Sequence, residues 1–365
     1  SGLPILAVGD WSAPFPSGLA QEGEREQLIT LFQQLLALPN VVNVPDRAAI
    51  PEGLERLGIS RSVVHERAPL THEARVSGPV TFYLFANTGP ESVRTIVSVE
   101  SANPEAWPFL LDSWTGDIRP MAHFTRTGNR LHFPVTLAAG STVSLALAPS
   151  NWAGHSLDAS RQVLSLTRGE AFIDAEGQLS IRAFESGPID VRLGNGKIFQ
   201  STITGLPQLP YEITSLDLEV EAWMPGETPS SIRKEALSLE DYALRPWMED
   251  PGLKDLSGKA RYHGYLDLPD WEANMGAILE VGEIFNTLHV RVNGRDLPPV
   301  DPLTHEVDLG GFLKPGRNKI ELEVTTTLNN QLRVAVPEVF SINNRQPYGL
   351  PGTLLLRPYR EISVP

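Results

Sequence analysis

Val80-Thr81-Phe82-Tyr83-Leu84-Phe85 and, a short connection later, Val93-Arg94-Thr95-Ile96-Val97-Ser98-Val99 are the stretches that decide the fold. Val80, Phe82 and Leu84 alternate with Thr81, Tyr83 and Phe85, and Val93, Thr95, Val97 and Val99 alternate with Arg94 and Ser98. Alternation every second residue puts neighbouring side chains on opposite faces, which is the period of a strand. From Pro79 onward this texture persists. Strands are expected over 131–137, 142–148, 163–167, 179–184, 189–193 and 198–203, with Asn195-Gly196 as a hairpin turn. Gly205-Leu206-Pro207-Gln208-Leu209-Pro210 reads as a boundary, beyond which 213–223, 259–266, 277–281, 287–292 and 318–326 supply a last sandwich. The 30 Gly and 31 Pro of the chain suit such a turn-rich β protein.

Upstream of Val80 the pattern is different. Leu3-Pro4-Ile5-Leu6-Ala7-Val8 reads as a strand, and Trp11 to Gly18 as a loop. Leu28, Leu31, Phe32, Leu35 and Leu36 then recur at helical spacing until Pro39 stops the pattern, which predicts an amphipathic helix over 24–38. A short strand at 40–44 and a helical turn at 51–57 complete a small α/β stub. The fold expected is therefore mainly β and multidomain: an α/β stub over 1–75, a small β-sandwich over 76–150, a β domain or linker strands over 151–210, and a terminal sandwich over 211–365. Two short strands cannot cover the apolar stripe of the helix, and the chain opens on Ser1 without an initiating Met. The expectation is a C-terminal piece of something longer.

Composition narrows the function. With 30 Lys and Arg against 44 Asp and Glu, the formal charge is −14, and the longest basic run is Arg233-Lys234, so nucleic acid is not an expected partner. Cysteine is absent, which excludes disulfides, thiolate metal sites and cysteine nucleophiles. No apolar run reaches the ~18 residues of a membrane helix, so no membrane partner is expected either. Asn-x-Ser/Thr acceptors are absent, and Arg outnumbers Lys by 24 to 6, a bias that suggests a bacterial source.

Motifs for chemistry are mostly missing. Thr71-His72-Glu73-Ala74-Arg75-Val76 has Val where a zinc-binding helix needs its second His. Gly194-Asn195-Gly196-Lys197 lacks the spacing of a phosphate loop, and neither a G-x-S-x-G elbow nor a G-x-G-x-x-G turn is present. The sequence by itself singles out no catalytic residue among its many carboxylates, and no cofactor is expected in this chain.

Several phrases carry a resemblance. In the last sandwich, Tyr262-His263-Gly264-Tyr265-Leu266-Asp267-Leu268-Pro269, Ala277-Ile278-Leu279-Glu280-Val281-Gly282, Leu288-His289-Val290-Arg291-Val292-Asn293-Gly294 and Leu313-Lys314-Pro315-Gly316-Arg317-Asn318 resemble the galactose-binding-like jelly-roll of family 2 glycoside hydrolases. Tyr83-Leu84-Phe85-Ala86-Asn87, followed by Leu110-Leu111-Asp112-Ser113-Trp114-Thr115-Gly116-Asp117-Ile118, resembles a signature of family 106 glycoside hydrolases, the α-L-rhamnosidases and their relatives. The opening Gly2-Leu3-Pro4-Ile5 is similar to the segment that follows the catalytic barrel in that family. The resemblance implies an accessory region whose partners are an upstream barrel and a rhamnose-containing plant or microbial glycan. Calcium and the catalytic carboxylates would belong to the barrel, and the location implied is periplasmic or extracellular. The alternatives are a freestanding carbohydrate-binding or lectin-like sandwich, and a structural fragment without a ligand.

A sugar needs an aromatic platform with amides or carboxylates beside it. Trp271, next to Asp270 in a loop after a strand, is the expected platform, with Asn293, Asp301, Asn329 and Asn330 in other turns of the same domain. The competing reading is structural: Trp271 caps the core, Asn293 serves its turn, and the Asn pair satisfies backbone groups.

Overall fold

The computed structural model describes residues 2–365 apart from 13, 15–17, 19–22, 67, 102, 208–210 and 229–230. The chain divides into two compact units, 1–64 and 65–365. The expected loop at 11–18 and the boundary at 205–210 lie partly outside the described residues.

In the first unit, Ile5–Val8 and Val41–Val44 pair as a parallel two-stranded sheet in the register Ile5↔Val41. Helix Glu24–Leu36 follows the periodicity, and Phe32 on its apolar side stacks against Trp11 with ring centroids 4.9 Å apart. A second helix, Ile50–Arg56, approaches the sheet so closely at Gly53 that a Cβ there would lie 2.4 Å from Leu6 Cδ1. Leu31 nevertheless remains 60% exposed, and no residue of the longer helix is fully buried. Leu28, Phe32, Leu35 and Leu36 of the same stripe are half-buried.

The unit closes at Val64 and not at 75, because Leu70–Ser77 is already a strand that pairs with Val80–Asn87. These two strands, with Thr142–Pro149, Ala106–Leu111 and Ile118–Pro120, make a five-stranded sheet. Val93–Glu100, Arg130–Leu137 and Thr125–Thr127 belong to the opposing one. Phe85, Phe109 and Ala146 of the first sheet and Val97, Val99 and Phe133 of the second are fully buried. The layers are tied by Asn87, whose Nδ2 donates to the carbonyls of Leu137 (3.2 Å) and Ala138 (3.0 Å).

The stretch 151–210, expected as a β domain or linker strands, falls within the second unit. Val163–Leu166, Gly187–Leu193 and Ile198–Ile203 form a three-stranded sheet, but the hairpin Glu170–Ile173 and Leu179–Ala183 leaves it to pair with the C-terminal strand Leu354–Ser363. Arg182 locks this union. Its guanidinium lies 4.0 Å from the Tyr359 ring and bonds Asp308 (2.8 Å) and Glu361 (2.8 Å).

The remainder is two six-stranded sheets. One runs Ile232–Ala243, Ser215–Pro225, Gly258–Leu268, Gly316–Thr325, Thr287–Val292 and Arg295–Asp296. The other combines the 170–183 hairpin with Leu354–Ser363, Met275–Glu280, Glu306–Asp308 and Tyr211–Ile213. Between them Trp247, Tyr262 and Tyr348 are fully buried. The Tyr262 hydroxyl accepts from Trp247 Nε1 (2.8 Å) and the Leu350 backbone N–H (3.4 Å), and burial raises its pKa. Gly349 stands beside this cluster with φ +85, where a Cβ would lie 2.5 Å from Trp247 Cδ1.

Candidate functional site

Among the described residues an exposed tryptophan is framed by two clefts, and a tight hairpin holds it there. Ala106–Leu111 ends at Asp112, and Ile118–Pro120 returns beside it. Asp112 Oδ1 accepts from the backbone N–H groups of Trp114 (2.9 Å) and Thr115 (3.1 Å), and Gly116 closes the turn with φ +80. Arg119 braces it from outside, bonding Asp112 (3.2 Å) and Asp117 (3.0 Å). Hydrogen bonding to Thr115, then to Arg119, holds the Asp117 carboxyl below the usual carboxylate range. With its backbone fixed in this way, Trp114 is 49% exposed.

On one side the ring faces a cleft of about 370 Å³ walled by Val281, Ile284, Leu297, Pro299 and Val300. Asn286, His289 and His305 supply its polar points, and Asn286 Oδ1 is buried without a hydrogen-bond partner among the described residues. A second cleft of about 480 Å³ also reaches the ring, and its wall mixes Asp112, Ser113, Thr142, Ser144 and Thr304 with Leu110, Leu111, Val143 and Leu303. Trp114 and Asp301 line both. Neither has a Lys or Arg among its described lining residues.

A pair of carboxylates also approaches another shallow cleft. Glu280 and Glu306 are cross-strand partners, and burial pushes the Glu306 carboxyl above its usual range. Arg357 bonds both, at 2.9 Å and 3.3 Å. One guanidinium clamping two carboxylates makes an ion cluster rather than a separated acid and base flanking a bond. Among the described residues no group of three or more His, Asp or Glu is placed to hold a metal ion.

Only one of the residues expected to bind sugar lies in the clefts around Trp114. Asp301 is the shared wall residue, and its Oδ1 accepts from the Leu303 N–H at 2.9 Å. Trp271 is 5% exposed, with its Nε1 buried and unpartnered, so the ring fills the core instead of offering a platform. Neighbouring Asp270 is exposed in the turn after Gly258–Leu268. Asn293 occupies its turn at φ +52, donating to Phe312 O (3.0 Å) and Asn318 Oδ1 (2.9 Å) while accepting from Lys319 N (3.0 Å). Asn329 and Asn330 sit on a short helix, Asn329–Ala335, and not in a turn. Asn330 is fully buried and binds the backbone of Lys254 and Gln346, whereas Asn329 lines a separate cleft beside Phe285. Apart from the Asn329–Asn330 contact at 3.3 Å, no hydrogen bond joins these six residues to one another.

Trp114 is the residue that sequence reasoning passed over. It stands inside the Asp112–Asp117 phrase used for the family resemblance, and that turn chemistry, Asp followed by Trp-Thr-Gly, was the available signal for an outward ring.

No protein-family model matches the chain, and no curated relative matches it. By structure it is similar to a rhamnosidase from Novosphingobium sp. PP1Y, with a TM-score of 0.62 at 17% identity, over 97% of this chain and 31% of that one. The chain therefore spans about a third of that protein's length. Looser overlaps occur with a β-glucuronidase from Faecalibacterium prausnitzii (TM-score 0.29, 15% identity, 43% of this chain and 33% of that one). An α-L-rhamnosidase from Dictyoglumus thermophilum overlaps similarly (TM-score 0.24, 9% identity, 77% and 28%). What the first similarity establishes is a shared fold across nearly the whole chain.

Proposed function

We propose that this chain is the C-terminal accessory region of a rhamnosidase-like glycoside hydrolase of the family 106 type, ending in a sugar-binding jelly-roll. It would brace a catalytic barrel carried elsewhere in the same polypeptide and present a surface to the glycan. The observation that carries the reading is the fit of 97% of the chain to only 31% of a rhamnosidase. Two local features agree with it. The parallel pair Ile5–Val8 and Val41–Val44 leaves Leu31 exposed on the neighbouring helix for a larger body to cover, and the hairpin at Trp114 gives an exposed aromatic residue next to two clefts. Calcium, if the whole enzyme uses it, belongs with the barrel, and a rhamnose-containing glycan outside the cytoplasm is the substrate that suits such an enzyme.

The chemistry of glycoside cleavage requires two carboxyl groups flanking one bond; Glu280 and Glu306 are clamped together by Arg357, while Asp112 and Asp301, which line one cleft, accept from backbone N–H groups of their own turns, and Asp112 is paired with Arg119 as well. The purified 365-residue chain is therefore expected to leave an aryl α-L-rhamnoside intact, and the protein in its native source to have a mass well above 40.0 kDa. A native mass of 40.0 kDa would replace this reading with a freestanding carbohydrate-binding sandwich. Turnover by the chain alone, abolished by one Asp or Glu substitution, would overturn it altogether.

A further inference from the structure

The two clefts beside Trp114 differ in a way that specifies a ligand. The wall formed by Val281, Ile284, Leu297, Pro299 and Val300 is apolar, with an unsatisfied Asn286 Oδ1 within it. The other wall is mixed: Ser113, Thr142, Ser144, Thr304 and Asp112 set hydroxyls and a carboxylate among Leu110, Leu111, Val143 and Leu303. Between them the Trp114 ring is held by the Asp112 turn, so a molecule stacked on it meets both clefts at once. Flat, C–H-rich faces of pyranose rings stack on such a ring, and hydroxyl groups find acceptors and donors around it.

We propose that this is a glycan-binding site for a neutral saccharide of at least two residues. A 6-deoxy sugar would direct its methyl group into the apolar cleft, and a fully hydroxylated neighbour would face the Ser/Thr cleft. The proposal deepens the accessory-region reading and rests on it for the choice of rhamnose as the deoxy sugar. Three observations set the class. Arg119, the cation nearest in sequence, is occupied by Asp112 and Asp117, and the described lining has no Lys or Arg and only His289, which already faces Asp296 at 3.4 Å, and His305 as basic groups, so uronic acids and sulfated sugars find no guanidinium or ammonium partner there. Asp112 and Asp301 on the wall add repulsion for an anion. The wall of Val281, Ile284, Leu297, Pro299 and Val300 accepts a methyl group at less desolvation cost than a hydroxyl, which favours C6–H over C6–OH where the sugar meets that wall.

The test uses the whole 365-residue chain and calorimetric or ligand-observed NMR titration. The probes are an α-L-rhamnosyl-glucose disaccharide, methyl α-L-rhamnoside, its 6-hydroxy counterpart methyl α-L-mannoside, and glucuronic acid. The disaccharide is expected to bind, and Trp114→Ala to weaken it by at least ~10-fold, the loss of a large stacked side chain. Because the ring is half-exposed, the variant should melt with the wild-type chain. Methyl α-L-rhamnoside should bind at least ~3-fold more tightly than methyl α-L-mannoside, the value of one buried methyl group, and Val300→Asp should erase that preference. Absence of any saccharide binding at millimolar concentration, or binding untouched by Trp114→Ala, would overturn the site while leaving the native-mass test of the accessory reading intact. Equal binding of the two methyl glycosides would overturn the 6-deoxy assignment, and tighter binding of glucuronic acid the neutral class. A native mass of 40.0 kDa with normal disaccharide binding would separate the two claims in the opposite direction.

Discussion

Replacing Trp271 with Ala measures directly whether that ring is core or platform. The side chain lies in the turn after Gly258–Leu268 and is 5% exposed, so nearly all of its surface has left water. A buried tryptophan removes about 150–250 Å² from solvent, and at roughly 25 cal/mol per Å² this is worth about 4–6 kcal/mol. An unfolded chain already shields part of that area, which brings the value to about 3–5 kcal/mol, the range seen when large aromatic residues are truncated in packed interiors. Trp271 Nε1 has no acceptor, so no hydrogen bond is lost with it. Trp271→Phe is for that reason expected to cost far less, about 1–2 kcal/mol, because relief of the buried unpaired N–H offsets some of the lost ring area. Urea unfolding followed by circular dichroism reads both variants, with disaccharide titration of each as the companion measurement. The expected result is a large loss of stability in Trp271→Ala with unaltered affinity per folded molecule. An unfolding free energy within about 1 kcal/mol of wild type, together with lost sugar binding, would refute the packing argument and return Trp271 to the surface.

Two other perturbations follow from buried polar groups. Tyr262→Phe strips the acceptor from Trp247 Nε1 and from the Leu350 N–H, so it should destabilise the terminal sandwich by about 1–3 kcal/mol in the same unfolding assay; an unchanged midpoint would mean that water reaches those donors. His123 forms a bridge with Val163, and burial lowers its pKa from 6.5. A histidine with a depressed folded pKa favours the neutral form, so its contribution is complete above 6.5 and falls as pH drops through 6.5 toward the folded value. His123→Asn should flatten the decline in stability between neutral and mildly acidic pH, and an unaltered slope would assign that decline to other groups.

The architecture was legible wherever one face of an element is buried and the other wet. The strands Val93–Glu100, Arg130–Leu137 and Gly316–Thr325, and the helix Glu24–Leu36, fall where their periodicities placed them, because burial of alternate or every third to fourth side chain imprints the period on the sequence. Two long strands were not legible. Ile232–Ala243 is an edge strand, exposed over most of its length, so no apolar alternation marks it. Leu354–Ser363 lies inside its sheet yet carries Pro358, a residue that lacks a ladder donor and argues against a central strand. The transfer of the 170–183 hairpin onto that strand was equally invisible, since pairing between residues as distant as Arg182 and Glu361 leaves no local pattern.

The site divides along the same line. Composition set the acidic, cysteine-free character, period-two alternation the mainly β fold, and the Asp112-Ser113-Trp114-Thr115-Gly116-Asp117 phrase contained the turn that projects an aromatic ring. Only the tertiary structure decided which tryptophan faces solvent. Trp271, the platform expected from sequence, and Trp114, which was not, both stand in loops near carboxylates; packing encloses the first, while a hairpin at two clefts exposes the second. The same folding brought Asp301 to Trp114 across nearly two hundred residues and gave the two clefts their unlike walls. Exposure is a property of what packs above a residue, and what packs above it comes from elsewhere in the chain.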